Sequence, residues 1–122
     1  MPKTEVVIYC EFDGTAPFLS WFEKLLVRAQ DKILVRIERL KELGHELRRP
    51  EADYLQDEIY ELRVKVQAVN YRVLYFFHGR QMVVLSHGLS KQQAKVPNSE
   101  MKSAVQRRNK FQESPNRHTF KE

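Results

Sequence analysis

The segment at residues 71–77 constrains the fold more than any other part of the sequence, because it is apolar at both odd and even positions over most of its length. Side chains of a β-strand point alternately to the two faces of a sheet, so such a segment fits a strand that is covered on both sides. The sequence therefore predicts a sheet with residues 71–77 at its centre and other elements packed against both faces.

The rest of the chain supplies the elements around this strand. β-Branched and aromatic residues predict further strands at 5–12, 59–66 and 82–87. Apolar residues at helical spacing predict two helices within 17–43, with Gly44 placed to end the second, and Pro97 and Glu100 begin a last helix at 97–111. Residues 45–57 are polar and irregular, and 88–96 are expected to form a loop. The order predicts an α+β domain with helices packed on a small, largely antiparallel sheet.

Length and composition predict one cytoplasmic domain. A chain of 122 residues fits a single domain at 1–111, followed by 112–122, which lacks periodicity and is expected to be a flexible tail. Apolar runs stay far below the roughly 18 residues that cross a bilayer, and the first residues lack a signal-peptide pattern. The lone cysteine, Cys10, cannot form an internal disulfide.

The positive charge lies at one end of the chain. Lys and Arg balance Asp and Glu up to residue 88, and the eight basic side chains against three Glu beyond it account for the net charge of +5. A one-sided basic surface suits a polyanion, because phosphate affinity comes largely from counterion release. A merely solubilising helix and tail is the equally weighted alternative. The candidate RNA-binding residues are Lys65, Lys95, Lys102, Arg107, Arg108 and Lys110.

Cations inside the strand region are the most informative candidates for chemistry. Alternation places Arg63 and Lys65 on one face of their strand, and Arg72 begins the apolar central strand. A charge within an apolar strand is costly unless it meets water or a partner. Arg63 and Arg72 are therefore either a phosphate-binding pair or structural partners of Glu61, and Lys65 more simply fits an exposed face.

The other chemical motifs point elsewhere or nowhere. The four histidines lack metal-ligand spacing, and glycine-rich phosphate loops are missing from the sequence, so we expect no metal and no other cofactor. Cys10 fits the core better than a nucleophile. His87, at the end of a predicted strand, suits either acid–base work or a hydrogen-bonded structural role.

Several segments together resemble a known family. Residues 60–63, 71–75, 87–91 and 95–97, followed by Glu100, Ala104 and Arg108, are similar in order and spacing to the phage-related HigB branch of the RelE/ParE toxin superfamily. The resemblance covers most of 5–111 and implies a RelE-like β-α-α-β-β-β-α fold. It also implies a metal-independent endoribonuclease that cleaves mRNA, on the ribosome or free, and is held silent by a helix-turn-helix antitoxin.

Site roles carried by the resemblance fall on four residues. Arg63 and Arg72 match the family's strand arginines, Lys91 matches a lysine of the loop after the strands, and His87 is a candidate acid or base. Phosphoryl transfer needs positioned positive charge more than a covalent group, which suits such a set.

Departures from the family pattern keep two rival functions open. The C-terminal tyrosine of RelE proper has no counterpart, since the last tyrosine is Tyr75, and the paired lysine of the loop is replaced by Lys91-Gln92. The rivals are a ParE-like inhibitor of DNA gyrase and a catalytically inactive, phage-derived binding protein. Codon preference, the need for the ribosome, the identity of the antitoxin and the oligomeric state stay open.

Overall fold

The computed structural model describes residues 3–91 and 95–121, with the backbone alone at Lys91. Five strands form one sheet in the order β1-β5-β4-β3-β2, in which β1 runs parallel to β5 and all other pairs are antiparallel. The α+β class and the largely antiparallel sheet are confirmed. The strands are β1 (Glu5–Ile8), β2 (Ala52–Gln56), β3 (Ile59–Val66), β4 (Val69–His78) and β5 (Met82–Lys91), and the helices are α1 (Pro17–Phe22), α2 (Val27–Leu43) and α3 (Asn98–Glu113).

Strand β4 is the middle strand of the sheet, as its two-sided apolar pattern predicts. Val73 and Tyr75 pack into the cluster on the face that α1 and α2 cover, whereas Leu74 and Phe76 pack into the cluster beneath α3. Both clusters consist of buried side chains, so each face contributes its own part of the core. Arg72 is the buried charge of this strand.

Strand β2 is an element that the sequence did not predict. It lies at the sheet edge, where Tyr54 and Gln56 are exposed, so its sequence lacks a regular alternation of apolar and polar residues. The turn into β3 is made by Asp57 and Glu58, both with positive φ and neither a glycine, so the usual hairpin signal is missing. The predicted irregular segment 45–57 is therefore wrong over its second half.

Two predicted boundaries differ by several residues. The first strand ends at Ile8 rather than at residue 12, and β5 continues to Lys91 through part of the predicted loop. Gly44 ends α2 with a positive φ, as expected. In the part of the chain that the structure describes, no helix is long and apolar enough to span a membrane.

The segment after α3 packs against the sheet instead of forming the expected flexible tail. A short 3-10 helix, Pro115–His118, places the buried His118 ring on Tyr9 with 5.2 Å between ring centroids. His118 Nδ1 donates to the Cys10 carbonyl at 2.8 Å, and the Phe120 amide donates to the Ile8 carbonyl at 2.8 Å. The absence of periodicity hid this contact, because a single ring and a few backbone hydrogen bonds make it.

Candidate nucleic-acid interface

A cationic depression of about 420 Å³ opens where β3 extends beyond its pairing with β2. The β2–β3 pairing begins at Ala52 and Leu62, so the backbone of Arg63 is engaged by other groups: its amide donates to the Glu51 carbonyl, and its carbonyl accepts from Arg36. Five cations line this depression, which we call the cationic pocket: Arg36, Arg49, Arg63, Lys65 and Arg72.

Arg63 and Arg72 meet at Glu61. The two arginines are direct cross-strand partners in the β3–β4 ladder, and their side chains therefore share one face, as predicted. Arg72 Nη1 lies 3.0 Å from Glu61 Oε1, and Arg63 Nε lies 3.8 Å from Glu61 Oε2. The Arg72 side chain is 7% exposed and that of Arg63 is 36% exposed. Arg63 is thus open to a ligand, whereas Arg72 is held by a buried carboxylate.

Burial raises the pKa of the Glu61 carboxyl, and the charge of Arg72, followed by that of Arg63, acts in the opposite direction. A carboxylate in this position stabilises the guanidinium next to it and fixes its orientation. The observed geometry therefore includes the pairing of Arg72 with Glu61, which is the structural role that the sequence left open for Arg72.

Arg36 and Arg49 are pocket residues that the sequence analysis missed. Arg36 Nη1 donates to the Arg63 carbonyl at 2.6 Å, and its Nε lies 3.6 Å from Glu51. Arg49 is 70% exposed and lies 2.8 Å from Asp53, whose pKa is lowered mainly by that hydrogen bond. Arg49 reaches the pocket through the segment before β2, an element that the sequence did not predict.

Lys65, Asn70 and Tyr71 form the outer part of the cationic pocket. Lys65 is exposed and faces Asn70 across the β3–β4 ladder. Lys91 pairs with Asn70 from the other side through the backbone, and its side chain lies outside what the structure describes. The site role expected for Lys91 therefore stays a prediction.

His87 lies beneath α3 in a hydrogen-bonded network and does not line the cationic pocket. Its Nε2 is 2.9 Å from Glu100 Oε1, and its Nδ1 is 2.8 Å from both Arg107 Nη1 and Ser86 Oγ. Because arginine only donates, Nδ1 accepts and the proton sits on Nε2. Burial, and then the Arg107 charge, lower the pKa of the ring. This geometry favours the structural role for His87 over acid–base work.

The basic residues of α3 separate into two groups. Lys102 is exposed, and so is Lys95 in the preceding loop, as a solvent-facing RNA contact requires. Arg107, a candidate RNA-binding residue, faces inward: it contacts His87 and lies 3.5 Å from Glu11. Lys110 is exposed and also lies 3.5 Å from Glu11, and Arg108 is half-buried.

Among residues 3–91 and 95–121, no group of three His, Cys, Asp or Glu side chains comes together as a metal site would need. The ion pairs near the cationic pocket use single carboxylates against arginines instead. Three carboxylates, Glu51, Asp53 and Glu61, stand against the five cations, which leaves the pocket positive.

Comparison with known proteins identifies the family. Residues 20–109 match the family described as phage-derived Gp49-like proteins (DUF891). The chain belongs to that family. No curated protein matches it with significant similarity. Membership agrees with the phage-related character that the resemblance implied, and it is compatible with a toxin of a toxin–antitoxin system.

Proposed function

We propose that this Gp49-like protein is the toxin of a type II toxin–antitoxin system, from the HigB-type branch of the RelE/ParE superfamily. Its activity is that of a metal-independent endoribonuclease that cleaves mRNA on the ribosome. The observation that carries the proposal is the cationic pocket, in which side chains from α2, the segment before β2, β3 and β4 surround one depression. Such an array of arginines suits a phosphate, because guanidinium groups bind its oxygens in a bidentate manner.

In the proposed reaction, an RNA 2′-oxygen bonds to the adjacent phosphorus as its proton leaves to water. The bond from phosphorus to the 5′-oxygen breaks, and that oxygen takes up a proton. We propose Lys91 as the proton donor. Arg63 contacts the phosphate oxygens, since it is the strand arginine that is open to solvent. Arg72, held by Glu61, keeps the field of the pocket fixed. Cations placed before the reaction stabilise the developing charge without reorganisation.

The proposal includes two partners. A helix-turn-helix antitoxin silences the toxin, and the ribosome presents the mRNA. The exposed Lys95 and Lys102 add positive charge outside the pocket, which favours a polyanionic partner.

The deciding experiment incubates the purified protein with translating ribosomes and maps the mRNA 5′ ends. We expect new ends with the wild-type chain and a strong loss of these ends with Arg63→Ala. Arg80→Ala, which removes an exposed arginine in the β4–β5 turn, should cleave like the wild type. Any cleavage of free RNA should be unchanged by EDTA, a chelator that would dissociate the ribosomes themselves.

Parallel supercoiling and growth assays test the rivals. Inhibition of DNA gyrase with intact mRNA would replace the proposal by the ParE-like function. Intact mRNA, active gyrase and retained antitoxin binding would replace it by the inactive binding protein.

A further inference from the structure

A second depression, of about 390 Å³, lies beside the cationic pocket and is walled by aromatic rings. Tyr54 and Tyr60 meet edge to face, with ring centroids 5.0 Å apart and planes at 75°. His45 closes another side and stacks on Phe77 with 3.5 Å between ring centroids. We call this depression the aromatic pocket; it is lined by His45, Leu47, Arg48, Asp53, Tyr54 and Tyr60.

The walls of the aromatic pocket are held from behind. Tyr60 stacks on the buried Tyr75 at 5.4 Å and meets Phe77 edge to face at 5.2 Å. The Tyr54 hydroxyl accepts a hydrogen bond from the Glu58 amide at 3.2 Å, yet Tyr54 is 48% exposed. The two rings are therefore held at 75° to each other while Tyr54 stays about half exposed to solvent.

The chemistry of the rim selects the kind of ligand. Arg48 donates to the carbonyls of His45 and Leu47, so its guanidinium is fixed beside the rings. Asp53, which lines the aromatic pocket, lies 2.8 Å from Arg49, which lines the cationic pocket, so the two pockets adjoin. A nucleotide offers both kinds of group: a planar ring that can stack on tyrosine and a phosphate that can meet arginine.

We infer that the aromatic pocket binds one unpaired nucleobase of single-stranded RNA, next to the phosphate in the cationic pocket. The inference rests on the proposed function and extends it, because it assigns Tyr54 and Tyr60 as binding residues. Stacking on aromatic side chains is the common way in which proteins hold unpaired bases, and it tolerates all four.

The test uses the full chain and a short single-stranded RNA that is 2′-O-methylated throughout and carries 2-aminopurine, so that it is bound but not cleaved. Binding should quench the 2-aminopurine fluorescence through stacking. Tyr54→Ala should weaken the affinity by roughly 10-fold and reduce the quenching, since stacking is worth about 1–3 kcal/mol per base. Tyr54→Phe keeps the ring and should keep both signals.

Phe12→Ala is the matched control, because Phe12 is also an exposed aromatic residue, at 74%, and it follows β1 at the opposite edge of the sheet from β2. It should leave affinity and quenching unchanged. Wild-type affinity and quenching in Tyr54→Ala would overturn the inference, and so would a loss confined to antitoxin binding, which would make the pocket a protein-binding site.

The two proposals fail separately. Ring-dependent quenching without cleavage of unmodified mRNA would leave the base-binding pocket standing and remove the ribonuclease. Loss of cleavage in Arg63→Ala, together with wild-type RNA binding by Tyr54→Ala, would do the reverse: the ribonuclease would stand and the base-binding pocket would be removed.

Discussion

Replacing Arg72 by Ala should destabilise the protein, because it leaves Glu61 buried without its nearest cation. The side chains of Arg72 and Glu61 are 7% and 4% exposed, and removing one partner of a buried pair costs about 3–5 kcal/mol. Arg63 remains 3.8 Å from Glu61 and is partly exposed, so we expect the lower end, about 3 kcal/mol. With a typical slope of about 2 kcal/mol per molar urea, the unfolding midpoint falls by about 1.5 M.

The pH dependence identifies the cause. Burial raises the pKa of Glu61 above its ordinary value of 4.5, and removing Arg72 removes the main influence that lowers it. A carboxyl whose pKa is higher in the folded than in the unfolded state loses stability as the pH rises through that folded pKa. The difference in unfolding free energy between wild type and Arg72→Ala should therefore be largest near pH 7 and shrink toward pH 4.5.

Urea unfolding followed by Trp21 fluorescence at several pH values measures this difference. Arg80→Ala should change stability by less than about 0.5 kcal/mol, and the double variant Glu61→Gln/Arg72→Met should recover most of the loss. Full stability of Arg72→Ala at pH 7, or a loss that does not vary with pH, would refute the reasoning. Arg63→Ala, which leaves the 3.0 Å pair intact, is therefore the cleaner test of phosphate binding.

Three further predictions concern the surface and the backbone. RNA affinity, measured by anisotropy, should fall steeply with salt, and Lys102→Gln should weaken this affinity without changing stability. Arg107→Gln should lower the unfolding midpoint, because it breaks contacts to His87 and Glu11; equal stability of the two variants would contradict the inward orientation of Arg107. Gly88→Ala should destabilise the fold by about 1–3 kcal/mol in urea, because the added Cβ would overlap the Trp21 ring, and an unchanged midpoint would show that this contact is loose. Asp57→Asn with Glu58→Gly should raise the thermal midpoint by an amount corresponding to about 1 kcal/mol, since both turn positions have positive φ, and a lower midpoint would show that the native side chains stabilise the turn.

The sequence predicted the elements whose signals are local. The apolar alternation of 59–66 matches β3 at both ends, and the two-sided apolar run at 71–77 identified the central strand. Both patterns can be recognised in the sequence because every second residue of a strand faces the same side of the sheet, so burial of a face makes alternate residues apolar. The edge strand β2 has exposed residues and a following turn without glycine, so its sequence pattern does not predict a strand.

The candidate site was predictable only in part, for the same reason. Arg63 and Arg72 share a face because alternation and pairing fix it, and these can be inferred from neighbouring residues. Arg36 and Arg49 join them from α2 and from the segment before β2 through tertiary contacts. His87 looked available at a strand end, but the inward orientation of Arg107 and Glu100 from α3 encloses it.

The pairing of β1 has a consequence for how the chain is made. Its backbone partners are β5, beginning at Met82, and the segment around Thr119, so the first strand to leave the ribosome is the last to find its neighbours. Contacts that close such long loops slow folding and leave apolar edges open in the meantime. Until residues 118–120 are synthesised, Tyr9 lacks the His118 ring that stacks on it and the Cys10 amide lacks its carbonyl acceptor, so the core beside β1 is complete only once this segment has left the ribosome.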